Sequence, residues 1–461
     1  MKRLLLPAML LLTGILAAQT YVPPGDGTLS QAIADAFDGD VLELAPGGLY
    51  TESVAYFMGT IIDKEITIMV EGENPEKAVL QILTPPDGIT SSSIFRMGNN
   101  SSLTLRHLDL DGNWFGVATT NYAVTFYLGE VPVFTTVNKL RIESCYIHHF
   151  VDWALASGNS SQRANLIVDS TLVDDVIFEN VETAIYYKYC GANYISMTNS
   201  TINTTSSYGF RVAGPGESNM PLNTPDAVID HTTWYNIGTG IKTAPSGGDD
   251  PREIIQVEKG PHLGQWTVTN SIFVNQNSKD RTAINIKDTV YPAMVHHICL
   301  WDVGGRTWSG SSHNITVSDT IAIDPEFADP DNGDFTLPAG SPLLSFAADG
   351  GAIGDLRWAG NATAVDNDMT ANLPAVFALY QNHPNPFNPE TTVSFSLEKA
   401  AWTSLTVYDL NGRAVMAPVS GMMPAGLHTV KLNAGDLPSG IYIYRLVGAG
   451  KTTAKKMTLL R

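Results

Sequence analysis

The amino-acid sequence predicts an all-β protein, a right-handed parallel β-helix followed by a small antiparallel β-sandwich. Three observations predict it. A strand-like unit recurs through the first three quarters of the chain at intervals of roughly thirty residues, the mark of a solenoid. A second, shorter unit follows each of its first six copies. The charge balance then changes sign where a different pattern of alternating strands begins.

The chain has 461 residues, 44% hydrophobic and 16% charged, which excludes a disordered polyelectrolyte and suggests two or three domains. Residues 19–374 hold 17 Lys/Arg against 42 Asp/Glu, a net −25, whereas residues 375–461 hold 8 against 4, a net +4. A body so acidic repels phosphate backbones and anionic lipid, so nucleic acid and membrane surfaces are not expected partners. Residues 1–18 read as a secretory signal peptide: Lys2 and Arg3, an apolar run from Leu4, then small residues to Ala18, the expected cleavage point. Pro7, Thr13 and Gly14 interrupt that run, and no later stretch reaches 18 apolar residues, so the mature chain should carry no transmembrane segment. Cys145, Cys190 and Cys299 lie far apart without metal-ligand spacing and are expected as small buried hydrophobes. A monomer is expected.

The first unit reads apolar-x-apolar, two polar residues, then x-apolar. It appears as LTLRHLDL (103–110), LRIESCYI (140–147), STLVDDVI (170–177), ISMTNSTI (195–202), AVIDHTTW (227–234), WTVTNSIF (266–273) and ITVSDTIA (315–322). The second unit is a small residue, an inward apolar residue, an outward residue and another inward one. Its copies are AVTF (123–126), ALAS (154–157), AIYY (184–187), GFRV (209–212), GIKT (240–243) and AINI (283–286). Two registered strands per coil with Asn, Ser and Thr at the corners place alternate residues in a core that runs the length of a rod. Asn-Gly and Asp-Gly turns do not punctuate these strands, which argues against an antiparallel sandwich.

Before the repeat, Leu29, Ala32, Ile33 and Ala36 have helical spacing, with Thr28 or Ser30 as cap, and VLEL (41–44) then leads to Gly47, Gly48 and Tyr50. This helix, "DGD", strand and "PGxY" turn resemble the opening cap of pectin-lyase-like β-helix proteins. DPEFADPDNGDFTLPAGSPLL (324–344) and GGAIGDLRW (350–358) resemble the closing segment of secreted bacterial β-helix proteins. The resemblance covers roughly residues 21–358, within a domain of residues 19–358, and speaks to fold, since this scaffold carries lyases, hydrolases, epimerases and adhesins.

Residues 359–376 are small, polar and free of repeats, a linker. In residues 377–461, TVSFSL, SLTVYDL, HTVKL and IYIYRLV alternate as strands, joined by turns at Asn411-Gly412 and Ser439-Gly440, which predicts an immunoglobulin-like β-sandwich. PNPFNP (384–389), VYDLNGR (407–413), LPSGIYIYRL (437–446) and KKMTLLR (455–461) closely resemble the type A sorting domain of the type IX secretion system. The resemblance implies that machinery as a partner, passage across the outer membrane, and a secreted or surface-held product.

Aligning the second units gives inward residues Val124, Leu155, Ile185, Phe210, Ile241 and Ile284, and an outward column Thr125, Ala156, Tyr186, Arg211, Lys242 and Asn285. Two residues on, the outward column is Tyr127, Gly158, Lys188, Ala213, Ala244 and Lys287. Coils repeat at about 4.8 Å, so Lys188, Arg211, Lys242 and Lys287 would gather on one face beside Tyr186, with Asn285 adjoining. Crowded cations call for an anion, which makes an anionic, uronate-containing polysaccharide the expected partner. The alternative is a structural ladder paired with acids such as Glu182, Asp230 or Asp250.

Lys, Arg and Tyr suit β-elimination: a cation neutralises the C5 carboxylate, a base takes the C5 proton, and an acid protonates the leaving oxygen. The arrangement is similar to the β-helix alginate and dermatan lyases, and that resemblance implies Lys188 as base and Arg211 as its partner. Tyr186, Lys242, Asn285 and Lys287 would bind substrate. The acidic calcium-binding run of those lyases is absent from AIYYKYCG (184–191), so the cofactor stays unassigned, calcium included. The "IDH" at 229–231 lacks the arginine–proline motif of pectate lyases, and Asp230 and His231 read as corner residues. Asp174 with Asp175, or Asp249 with Asp250, could form a hydrolase pair, but the polygalacturonase Gly-His-Gly and Arg-Ile-Lys motifs are missing. DPDNGD (329–334) reads as a turn rather than a calcium loop. Strand alternation should send His148 and His149 to opposite faces, away from a shared metal. Two functions therefore stand, a polysaccharide lyase-like protein and a non-catalytic adhesin or glycan binder.

Overall fold

The computed structural model describes residues 18–52, 59–82, 93–112, 120–126, 135–157, 166–188, 190–213, 226–239, 253–257, 264–276, 282–286, 293–304, 315–359, 378–379, 382, 387–397, 401–410, 412–423, 426–435, 437–448 and 450–460. The signal peptide, but for Ala18, and the linker, but for Ala359, lie outside the described residues, as do Lys242 and Lys287. The chain divides into two compact units, Met1–Ala347 with Ala352–Gly360, and Ala348–Gly351 with Asn361–Arg461.

The first unit is a right-handed parallel β-helix. Strands 195–202 and 227–234, adjacent copies of the first repeat, pair in parallel, Ile195 opposite Ala227 and Ile202 opposite Trp234. Each full coil presents three faces rather than the two strands expected. The first repeat unit bends in its middle, because the chain turns there through a left-handed residue: His107, Ser144, Asp175, Asn199, His231, Asn270, His297 and Asp319 all have φ between 45° and 56°. Five residues on, a second corner repeats the device at His149, Asn180, Thr204, Asn236, Asn275 and Asp302. Asn, Asp and His tolerate this region better than most residues, which explains the polar pair inside each repeat. The corner amides feed the next coil: His107 N–H donates to Glu143 O and Ser144 N–H to Asp174 O, at 3.1 and 3.0 Å. His231 is thus a corner residue, as expected.

The third face is a separate eight-stranded parallel sheet that runs from Thr60–Ile62 to Ile284–Ile286. Its inward column is Phe95, Val124, Leu155, Ile185, Phe210, Ile255 and Ile284, all fully buried in the main core. Ile255, not Ile241, stands between Phe210 and Ile284, so the strand in this coil is Ile255–Val257 rather than GIKT. Gly209 packs tightly beneath that strand: a Cβ there would come within 2.5 Å of the buried Trp234 ring and 2.9 Å of Ile254 O. The long gap between the last two repeat copies also hides a coil, Ala293–Trp301, which pairs with both neighbours.

The helix Thr28–Asp35 covers the opening end with Leu29 and Ile33 buried. Neither Thr28 nor Ser30 caps it. Its N-cap is Gly27 in a left-handed conformation, and the Glu52 carboxylate accepts from Ser30 N–H at 2.9 Å. The closing segment lies along the second face rather than across the end. Thr201 Oγ1 donates to Asp355 Oδ2 at 2.6 Å, Asp355 N–H donates to Thr233 Oγ1 at 2.9 Å, and Gly354 N–H donates to Asn270 O at 2.8 Å. Within it, Pro330–Asn332 forms a short 3-10 turn closed by Gly333, so DPDNGD is a turn. All three cysteines are buried thiols outside any disulfide.

The second unit holds two antiparallel sheets. One pairs Glu390–Leu397 with Gly426–Asn433 and the short strand Ala378–Leu379; the other orders Ala414–Met423, Ala401–Tyr408, Gly440–Gly448 and Lys451–Leu459. Val393, Phe395, Leu405, Val407, Tyr444, Leu446 and Leu459 fill the space between them, the packing expected of an immunoglobulin-like sandwich.

Candidate functional site

The outward column of the third face reads Arg96, Thr125, Ala156, Tyr186, Arg211, Gln256 and Asn285. Tyr186 and Arg211 are direct partners on adjacent coils, as the alignment required. Gln256 fills the place expected for Lys242. Lys188 stands opposite Ala213, two residues further along, and alternation sends it outward because Tyr187 turns inward, where its hydroxyl meets Thr171.

The outward side chains form an aromatic floor with cations on it. Trp153 lies 4.2 Å from Tyr186, edge to face, and 5.9 Å from Tyr122, and these rings are almost wholly covered. The Arg211 guanidinium sits 4.8 Å from the Tyr186 ring centre and 4.5 Å from that of Tyr208. Lys188 Nζ sits 5.7 Å from the Trp153 ring and 5.9 Å from the Tyr186 ring. Both cations are half-buried. Quadrupole attraction to several rings holds them in defined positions. The Lys188 backbone is pinned as well, since Ser157 Oγ accepts from its N–H and donates to its carbonyl, each at 2.7 Å.

The acid beside these cations is Glu182. Burial pushes its carboxyl up to about 7, with Asp152 adding to the rise; the Trp153 indole N–H, Lys188 and Arg211 act against it. The indole donates to Glu182 Oε1 at 3.4 Å. The sequence reading treated Glu182 only as a counter-charge, because nothing in its local pattern signals burial. Asn285 is almost covered and its amide donates to Glu253 Oε1 at 3.0 Å, so it is tied to an acid the sequence reading did not single out. Glu253 Oε2 and Gln256 Oε1 are buried acceptors with no hydrogen bond. The site therefore brings together Tyr186, Lys188 and Arg211, with Asn285 two coils beyond Arg211 in the same column.

His148 and His149 do not point apart. His149 has φ 58°, which breaks strand alternation, and the two Nδ1 atoms approach to 2.7 Å beside Asp111.

A family profile described as "Domain of unknown function (DUF5123)" matches residues 227–358, and one described as "Secretion system C-terminal sorting domain" matches residues 381–459. No curated protein matches the chain. Among solved structures, the chain is similar to the PL6 family alginate lyase AlyGC, with 18% identity and a TM-score of 0.50 over 66% of this chain and 39% of the enzyme. An arginine variant of that lyase aligns with 16% identity and a TM-score of 0.40 over the same shares. The chain thus spans about two fifths of the enzyme's length, and the likeness is one of fold. No helix among the described residues is long and apolar enough to cross a membrane. This protein is a right-handed parallel β-helix carrying a type IX secretion sorting domain, bound for the cell surface or the outside of the cell.

Proposed function

We propose that the third face binds an anionic, uronate-containing polysaccharide at Tyr186, Lys188 and Arg211, and that the chain is a lyase of such a glycan. The observation that carries this reading is the pair of cations held on one aromatic floor, Lys188 and Arg211 both within 6 Å of the Tyr186 ring centre. The covered rings hold the two cations in place, and a guanidinium fork receives a carboxylate. In β-elimination, Lys188 would take the C5 proton, the C4–C5 double bond would form, and the C4–O bond would break with proton return to the leaving oxygen. Arg211 would neutralise the carboxylate and acidify that C–H. Glu182, whose carboxyl burial raises to about 7, would relay a proton. Export by the signal peptide and the type IX machinery would bring the domain to its glycan.

A non-catalytic binder or adhesin is the second reading, favoured by the packing of both cations against rings, which serves holding without further chemistry. Incubation with a panel of uronate polymers, read by ultraviolet absorbance of unsaturated products, separates the two. Absorbance that Lys188→Ala abolishes while binding persists supports the lyase. Binding with no absorbance on any polymer supports the adhesin, and no binding at all removes both.

A further inference from the structure

We propose that Asp111, His148 and His149 form a binding site for a divalent transition-metal ion of the zinc class, on the second face of the β-helix and separate from the cationic floor. Three ligand atoms converge there: His148 Nδ1 and His149 Nδ1 are 2.7 Å apart, and Asp111 Oδ1 lies 3.6 and 3.4 Å from them. A circle through these atoms has a radius of about 1.9 Å, so an ion with bonds of about 2.0–2.1 Å sits just out of their plane. Nitrogen and carboxylate donors in a three-ligand set suit zinc, nickel or copper rather than calcium.

The surrounding side chains orient two of the three ligands. His148 Nε2 lies 2.7 Å from Asp109 Oδ1, which holds a proton on Nε2 and makes Nδ1 the acceptor facing His149 Nδ1. Gln81 donates to Asp111 Oδ2 at 2.7 Å, which holds the carboxylate with Oδ1 towards the two imidazoles. The Tyr146 ring stacks on His148 at 4.0 Å and its hydroxyl donates to Glu179, which also accepts from Asn203 at 3.1 Å. Carboxylate-to-histidine contacts of this kind fix the tautomer and ring direction of metal ligands. The column Gln81, Asp111, His148, Glu179 and Asn203 runs through five successive coils, so the scaffold presets the site. The left-handed turn at His149 is what brings two sequence neighbours onto one point.

The experiment uses the full chain, stripped with EDTA and titrated with Zn2+ against a chromophoric chelator, and with Co2+ read by visible absorbance. The expected result is one Zn2+ per chain and the intense d–d bands of a low-coordinate cobalt site. His149→Asn should weaken Zn2+ binding about 100-fold with unchanged circular dichroism, because Asn180, Asn236 and Asn275 occupy the same corner in other coils. Asp111→Asn, which keeps the side-chain shape, provides the same reading if His149→Asn perturbs folding. His297→Asn, at the other corner ladder, should change nothing. Failure of the wild-type chain to bind Zn2+, or binding unaffected by both variants, overturns the proposal.

Discussion

Arg211 is the Cα partner of Tyr186 on the adjacent coil, and its guanidinium lies 4.8 Å from the Tyr186 ring. The β-helix makes such pairs from residues of distant sequence position by stacking coils at one strand spacing. The resulting contact is planar cation on planar ring, with Tyr208 on a second side at 4.5 Å. Lysine cannot reproduce it.

Arg211→Ala should therefore weaken binding of polyuronate oligosaccharides by about tenfold or more, with wild-type binding falling as salt rises. Arg211→Lys should recover only part of the loss, because it keeps the charge but not the fork or the stacked plane. Isothermal titration at two ionic strengths reads both effects, and unchanged thermal unfolding shows that an outward position was altered.

Glu182 predicts a pH dependence of stability. Its folded pKa, about 7, stands above the ordinary 4.5, chiefly through burial. Between those values the folded chain holds a proton that the unfolded chain has lost, so stability falls as pH rises from about 4.5 through 7. Glu182→Gln should flatten that part of the curve and raise the urea midpoint at pH 8 relative to wild type, with little change at pH 4.5.

Asp355 ties the closing segment to the second face. It is 2% exposed, accepts from Thr201 Oγ1, and accepts from Arg357 N–H at 3.1 Å. Burial raises its pKa to about 6. Asp355→Ala leaves buried partners unpaired and should destabilise the β-helix by about 2–3 kcal/mol, measured by urea unfolding.

Deleting residues 377–461 should leave the β-helix folded and trap it in the periplasm. The sorting domain has its own core, with Phe395, Leu405 and Tyr444 buried within it. Fractionation followed by limited proteolysis tests this: the β-helix should be protease-resistant and absent from the medium and cell surface.

The sequence by itself determined the scaffold and its destination. Regular spacing of Val, Ile and Leu gave the inward positions Val124, Leu155, Ile185, Phe210 and Ile284, because a solenoid buries equivalent residues in every coil. It also placed Tyr186 beside Arg211, since those strands follow one another without a competing match. The sorting motifs were legible as ordered strings. Where an insertion contained two similar strings, local pattern had no means to choose. GIKT and IIQV both satisfy the inward–outward alternation, and the structure takes IIQV, with Phe210 opposite Ile255. The sharp corners were equally hidden, because His at position 149 is compatible with extended or left-handed backbone, and only coil stacking selects φ 58°. The burial that lifts Glu182 and the convergence of Asp111 with His148 and His149 likewise arise from residues on different coils, and the distance between coils along the chain varies with each insertion. Where successive copies follow one another without a competing match, periodicity fixes which residues face in and which outward residues meet; elsewhere tertiary stacking decides.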